Sequence, residues 1–209
     1  MAAEVALRLL QIKAIKLSPQ NPFTWASGIL SPIYCDNRVV LSYPDTRNFI
    51  KNCLIEKSKA FGHFTMIAGV ATAGIPHAAL LADALGLPMC YVRDKAKGHG
   101  RQNVIEGNIR GNERILVIED LISTGGSSIK AVQALQGVGC SIAGTLAIFS
   151  YGFEEAQNVF DAENCPLQTL SNYDALLAEA LKINYISESD FETLSAWRKD
   201  PKNWSSFSN

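Results

Sequence analysis

The chain is expected to fold as an α/β protein, a mainly parallel sheet flanked by helices, and three observations carry that expectation. An apolar, β-branched run at 115–118 reads as a buried strand. It reaches Glu119 and Asp120, enters the small-residue loop Ser123, Thr124, Gly125, Gly126, Ser127, and continues into Ile129, Val132, Leu135 and Val138 at helical spacing. The same strand, glycine-flanked loop and helix recur at 64–85, and further apolar strands at 89–92 and 141–149 alternate with helical stretches. Such alternation lays strands in parallel with helices on the sheet faces, and ligands then sit at the carboxyl ends of the strands.

Taken in order, Val5, Leu9, Ile12 and Ile15 fall on one face and predict an amphipathic helix over 5–15. The following L-S-P-Q-N-P-F-T-W-A-S-G-I-L-S-P-I-Y-C-D-N-R is irregular and aromatic, which suits a base-binding surface or lid as well as simple packing on the core. Pro44 opens a helix to about 61. A strand at 64–68 leads to G-V-A-T-A-G-I-P-H and a helix at 78–85 with Pro76 near its first turn; His77 reads as a helix-start or packing residue. The strand at 89–92 delivers Arg93. From 94 to 114 no period is sustained and Gly, Lys and Arg abound, the mark of a functional lid.

In the central unit, Ser127 or Ser128 is the expected N-cap, and Gly137 and Gly139 mark the helix end. Beyond the 141–149 strand, a helix at 154–161, a short strand at 169–171 and helices at 173–181 and 188–198 complete the chain. Trp197 and Trp204 suggest no chemistry.

At 209 residues and 47% hydrophobic composition the chain suits one domain with a sizeable core. A net charge of -1 gives no reason to expect nucleic-acid or membrane partners. Five scattered cysteines without a C-x-x-C pair read as reduced core residues, and the N-terminus lacks a signal-peptide pattern, so a cytoplasmic protein is expected.

The central loop has the makings of a phosphate site. Glycines let backbone N–H groups approach an anion, the hydroxyls add donors, and the helix N-terminus adds partial positive charge. The two carboxylates would repel that phosphate if they faced it, so they are read as acceptors from a neighbouring diol or as holders of metal-bound waters. Phosphate beside diol indicates a ribose 5-phosphate. Neither G-x-x-x-x-G-K-[ST] nor G-x-G-x-x-G spacing is present, which removes ATP and NAD readings.

The string E-D-L-I-S-T-G-G-S closely resembles the phosphoribosyl pyrophosphate (PRPP) signature of type I phosphoribosyltransferases. F-T-x-x-S-G-x-x-S-P-x-Y with D-N-R, and Y-V-R-x-K-x-K-x-H-G, resemble the hood and mobile loop of the orotate phosphoribosyltransferases within that family. The resemblance implies the type I phosphoribosyltransferase fold as a single domain over 1–209: a small N-terminal hood at about 1–40, a PRPP-binding core at about 41–170 and C-terminal helices at about 171–209. It implies transfer of the 5-phosphoribosyl group from PRPP to orotate, giving orotidine 5-phosphate and pyrophosphate.

The PRPP contacts carried over by the resemblance are Arg93, Lys97, His99, Glu119, Asp120, Leu121, Ile122 and Ser123 through Thr124, Gly125 and Gly126 to Ser127, with 69–74 beside the pyrophosphate. Lys97, His99 and Asp120 are the implied catalytic residues. Ser123, Tyr34 and Arg38 are implied for orotate, with Phe23, Ser27 and Ile33 near the base. Magnesium is expected to arrive on PRPP without a fixed protein ligand set, and the lid to be shared across a homodimer. Some relatives carry lysines where Ala26 or Leu30, Ala73 and Asp94 stand, and some an arginine where Tyr151 or Phe153 stands. The rival readings are a sibling transferase using uracil, xanthine or another base, and a PRPP-sensing regulator; the first should lack the hood, the second should bring a nucleic-acid-binding module.

Overall fold

Helix α1 (Ala2–Gln11) buries Val5, Ala6, Leu9 and Leu10. It is shorter than the apolar spacing suggests: Lys13 takes a positive φ of 59°, and the chain turns so that Ile15 enters a strand. The computed structural model describes residues 1–25, 28, 30–94, 104–201 and 203–204.

Four short strands form the hood. β1 (Ile15–Leu17), β2 (Phe23–Thr24), β3 (Leu30–Ser31) and β4 (Ile33–Cys35) pair antiparallel as β1 with β4 and β2 with β3. Asp36 then caps a 3-10 turn at Asn37–Ser42, and Pro44 opens α2 (Pro44–Ser58) as expected.

The core follows as β5 (Met66–Val70), α3 (Gly74–Leu85), β6 (Met89–Val92), β7 (Ile105–Glu106), β8 (Arg114–Ile122), α4 (Gly126–Gly137), β9 (Ser141–Ser150), α5 (Glu154–Ala162), β10 (Leu167–Asn172), α6 (Tyr173–Lys182) and α7 (Glu188–Lys199). The sheet order is β10-β9-β8-β5-β6-β7, parallel except for β7. Ile115 and Val117 pack with Ile129, Val132 and Phe160 from α4 and α5 on one face. Leu116 and Ile118 pack with the apolar sides of α1, α2, α3 and α6 on the other. The period of two along β8 thus feeds two separate cores.

Three boundaries differ from the sequence reading. β8 runs past the apolar segment to Ile122, because its pairing with β9 continues through Glu119 and Leu121, so the two acids lie inside the strand. Helix α4 is entered from Gly125, at φ 82°, without a side-chain cap; Ser128, one of the two expected caps, turns its hydroxyl to Glu119 instead. Helix α3 begins at Gly74, four residues earlier than the apolar spacing indicates.

β5 crosses over to β6 through α3 on one face, and β8 crosses to β9 through α4 on the other. The two connections diverge at the carboxyl ends of adjacent strands, which opens a crevice between them.

Candidate active site

The crevice holds a cavity of about 280 Å³ between Ala71–Ala73 after β5 and the stretch from Glu119 to Ser128. Helix α3 reaches its edge because Gly74 has no side chain: a Cβ there would lie 2.5 Å from the Ile118 carbonyl oxygen. Gly125 closes the opposite wall with φ 82°, and a Cβ there would meet Phe160 at 3.0 Å and Val159 at 3.1 Å. Backbone amides and the N-termini of two helices therefore border one space, a setting suited to a polyanion.

Among the expected PRPP contacts, Glu119, Asp120, Leu121, Ser123, Thr124, Gly125, Gly126 and Ser127 all line this cavity. Ile122 does not: it is 1% exposed and packs in the core, where its carbonyl accepts the Tyr151 N–H at 3.1 Å. Its apolar position in the strand sends the side chain inward, away from the cavity. Arg93 lines a small recess with Ser127 and Lys130, and its guanidinium lies 3.3 Å from the Glu106 carboxylate. Lys97, His99 and Ser27 lie outside the described residues.

The two carboxylates are not equivalent. Glu119 is 6% exposed; it accepts the Ser128 hydroxyl at 3.0 Å and the Asp120 N–H at 3.1 Å. Burial, and then the neighbouring Asp120 charge, hold its pKa well above the ordinary value. Asp120 is also pushed up by burial, but hydrogen bonds from Glu119 and from backbone amides, and the Arg38 charge, pull the other way. Asp120 is thus the carboxylate better able to stay ionised at the cavity, with Glu119 a buried partner behind it.

A second, more apolar cavity of about 280 Å³ adjoins through Leu121 and Ser123. Thr24, Trp25, Tyr34, Cys35 and Tyr151 complete its lining. Tyr34 and Ser123, both expected at the orotate, line this cavity, and Phe23 packs against Tyr34 at 5.6 Å between ring centroids. Ile33 is fully buried in the core; its carbonyl accepts the Trp25 indole N–H at 3.2 Å. Arg38 is not part of the lining. Its fork is closed on Asp36, Nε to Oδ1 at 2.6 Å and Nη2 to Oδ2 at 2.8 Å, because the 3-10 turn sets the two residues side by side.

Trp25 and Asn37 were missed from sequence, and Tyr151 was named only as standing where some relatives carry an arginine. Trp25 and Tyr151 form the aromatic walls, and their rings lie 5.4 Å apart. Asn37, fully buried, donates its amide to the Asp120 carbonyl at 2.7 Å and so ties hood to signature strand. The aromatic residue straight after β9 and the polar residue between two charges in D-N-R were the available signals.

A crevice at the switch point of a parallel sheet, with a small-residue loop, a carboxylate and an adjoining apolar pocket, agrees with a phosphoribosyltransferase. Residues 45–174 match the family described as the phosphoribosyl transferase domain. The chain is 54% identical over 202 residues to an orotate phosphoribosyltransferase of Listeria monocytogenes, covering 96% of this chain and 97% of that one. The crystal structure of the orotate phosphoribosyltransferase from Aeropyrum pernix matches at 27% identity with a TM-score of 0.76, over 88% of this chain and 99% of that one. A Leishmania donovani UMP synthase matches in fold at 24% identity and a TM-score of 0.80; the chain spans 42% of its length. The chain belongs to the orotate phosphoribosyltransferase family. Among the described residues no helix is long and apolar enough to cross a membrane.

Proposed function

We propose that this enzyme transfers the 5-phosphoribosyl group of PRPP to N1 of orotate, forming orotidine 5-phosphate and pyrophosphate in pyrimidine biosynthesis. In this reading the 5-phosphate sits on the amides and hydroxyls from Ser123 to Ser127, at the positive end of α4. The Asp120 carboxylate accepts hydrogen bonds from the ribose hydroxyls, and Glu119 holds it in place. The pyrophosphate rests against Ala71–Ala73 and the start of α3. The pyrimidine ring lies between Trp25, Tyr34 and Tyr151, with Ser123 at its polar edge.

Orotate N1 gives its proton to an oxygen of the departing pyrophosphate while its electron pair forms the new bond to the anomeric carbon, and the electrons of the broken C–O bond leave with pyrophosphate. Positive charge develops on the ribose ring, so the negative wall of Asp120 is stabilising there. The departing oxygens need cations, which Lys97 and His99 of the lid supply together with Arg93. Most of the rate enhancement then comes from holding the two substrates in line rather than from a protein nucleophile. Asp120, with Glu119 behind it, would offer hard carboxylate oxygens to the retained waters of magnesium carried on PRPP, which would supply charge neutralisation to the pyrophosphate.

The single observation behind this reading is the union of the anion crevice with the aromatic pocket through Leu121 and Ser123, which puts an acceptor ring beside the ribose. We further propose that the enzyme works in the cytoplasm as a homodimer whose lid serves the partner's site. Orotate, PRPP and Mg²⁺ mixed with the enzyme should lose orotate ultraviolet absorbance rapidly, with uracil and xanthine inert. Turnover of another base, or PRPP binding without orotate turnover, would overturn the acceptor assignment. For the shared lid, mixing inactive Lys97→Ala and Asp120→Asn chains should restore activity through hybrid dimers, and additive inactivity would refute it.

A further inference from the structure

Orotate carries a carboxylate beside N1, and a buried anion needs a cation or a full set of donors. Among the described residues that line the apolar pocket, none is basic. Arg38, the nearest candidate by sequence, has already committed its fork to Asp36.

The pocket does not end at its aromatic wall. Trp25 and Ser123 also line a larger cavity of about 530 Å³, which continues past Gly152 and Phe153 to Arg198 at the end of α7. Arg198 Nη1 donates to Asp174 Oδ2 at 2.9 Å, and its guanidinium carbon stands 5.7 Å from the Tyr173 ring centroid. That nitrogen is 3.5 Å from the point a Cβ on Gly152 would occupy, which places the guanidinium in contact range of the turn directly after β9. Asp174 engages one nitrogen of a group with five N–H donors, and the remaining edge of the fork is free among the described residues.

The position of this arginine is held by its neighbour. Trp197 is fully buried, and its ring packs on Trp25 at 5.7 Å, Tyr151 at 5.9 Å and Tyr173 at 5.7 Å. Its indole N–H donates to the Leu30 carbonyl at 3.3 Å, joining α7 to hood strand β3. The helix end thus rests on the same tryptophan that walls the acceptor pocket. We infer that Arg198 is the specificity-determining cation of the acceptor site: its open edge pairs with the orotate carboxylate, while Asp174 and Tyr173 keep the fork oriented. A planar fork suits a carboxylate better than a point charge does.

The inference rests on orotate being the acceptor, and the experiment separates the two. Steady-state kinetics are measured on the full-length wild type, Arg198→Gln, Arg198→Lys and Asp174→Asn, with melting curves for each. The expected result is a KM for orotate raised at least tenfold in Arg198→Gln, a KM for PRPP within twofold, and partial recovery in Arg198→Lys. Asp174→Asn should show a smaller rise of the same kind, since it only orients the fork. Inhibition by uracil, which lacks the carboxylate, should be equal in wild type and Arg198→Gln. An unchanged orotate KM, or equal rises for orotate and PRPP, in enzymes that melt like the wild type, overturns the role of Arg198 alone. A wild type that binds PRPP but does not turn over orotate overturns the acceptor assignment and this inference with it.

Discussion

The donor half and the acceptor half of the site are built in opposite ways. The crevice proposed for PRPP comes from two strand ends and the loops that directly follow them, and its chief lining stretch, Glu119 to Ser128, is contiguous in sequence. The acceptor pocket draws on Thr24, Trp25, Tyr34, Leu121 and Tyr151, and is braced by Trp197 from the last helix. Backbone amides make a phosphate site whose specificity resides in local conformation, whereas a flat uncharged ring is recognised by side chains that only tertiary packing brings together. Variants should therefore divide by half: donor-side changes should move PRPP parameters, and acceptor-side changes orotate parameters.

The largest expected effect tests the acceptor brace. Trp197→Ala removes a fully buried indole and should cost about 3–5 kcal/mol of stability, with the KM for orotate rising far more than that for PRPP. Denaturant titration and kinetics at 15 °C would read both. Equal rises in the two KM values would show that the brace supports the whole site and would erase the division. Gly125→Ala comes next, at roughly 1–3 kcal/mol, because a side chain is forced to φ 82° against Phe160. Its kinetic signature should be the reverse, a weakened PRPP complex with orotate binding little changed, as isothermal titration would reveal.

Glu119 offers a subtler contrast, since it serves the donor half at a cost to the fold. Its folded pKa is raised by burial, so the folded state takes up a proton more readily than the unfolded chain. Stability is then greatest below the unfolded pKa and declines as pH rises from there through the folded value. Glu119→Gln should accordingly raise the melting temperature at pH 8 while lowering turnover. A lower melting temperature at pH 8 would mean that the charged form is the stabilised one.

His77 behaves with the opposite sign. It is 1% exposed, its Nε2 has no hydrogen-bond partner among the described residues, and burial lowers its pKa from 6.5 to about 4. The unfolded chain therefore binds the proton first, and stability is lost as pH falls from 6.5 toward 4, by up to about 1.4 kcal/mol per pH unit. His77→Leu should flatten that slope in melts run across this range while leaving turnover at pH 8 near wild type, in keeping with the packing role that its place after Pro76 suggested. The smallest change expected is Arg38→Ala, which breaks a largely exposed ion pair and should shift the orotate KM less than twofold. A tenfold shift there would move the carboxylate contact from α7 back to the hood.

The sequence alone determined the sheet-and-helix alternation, the small-residue loop and the carboxylates beside it, because those features depend on residues a few positions apart. Hydrophobic period, glycine placement and adjacent acids are local signals, and the loop they describe is made mostly of its own backbone. Tertiary structure decided how the neighbours Glu119 and Asp120 divide their work. One is buried against Ser128, and the other has its carbonyl held by Asn37 from 83 residues away. It also decided that Arg38 closes on Asp36 and that Trp197, unremarkable in the sequence, braces Trp25 across the chain. Burial and pairing depend on which distant segments share a face, and no periodicity within a short window records that.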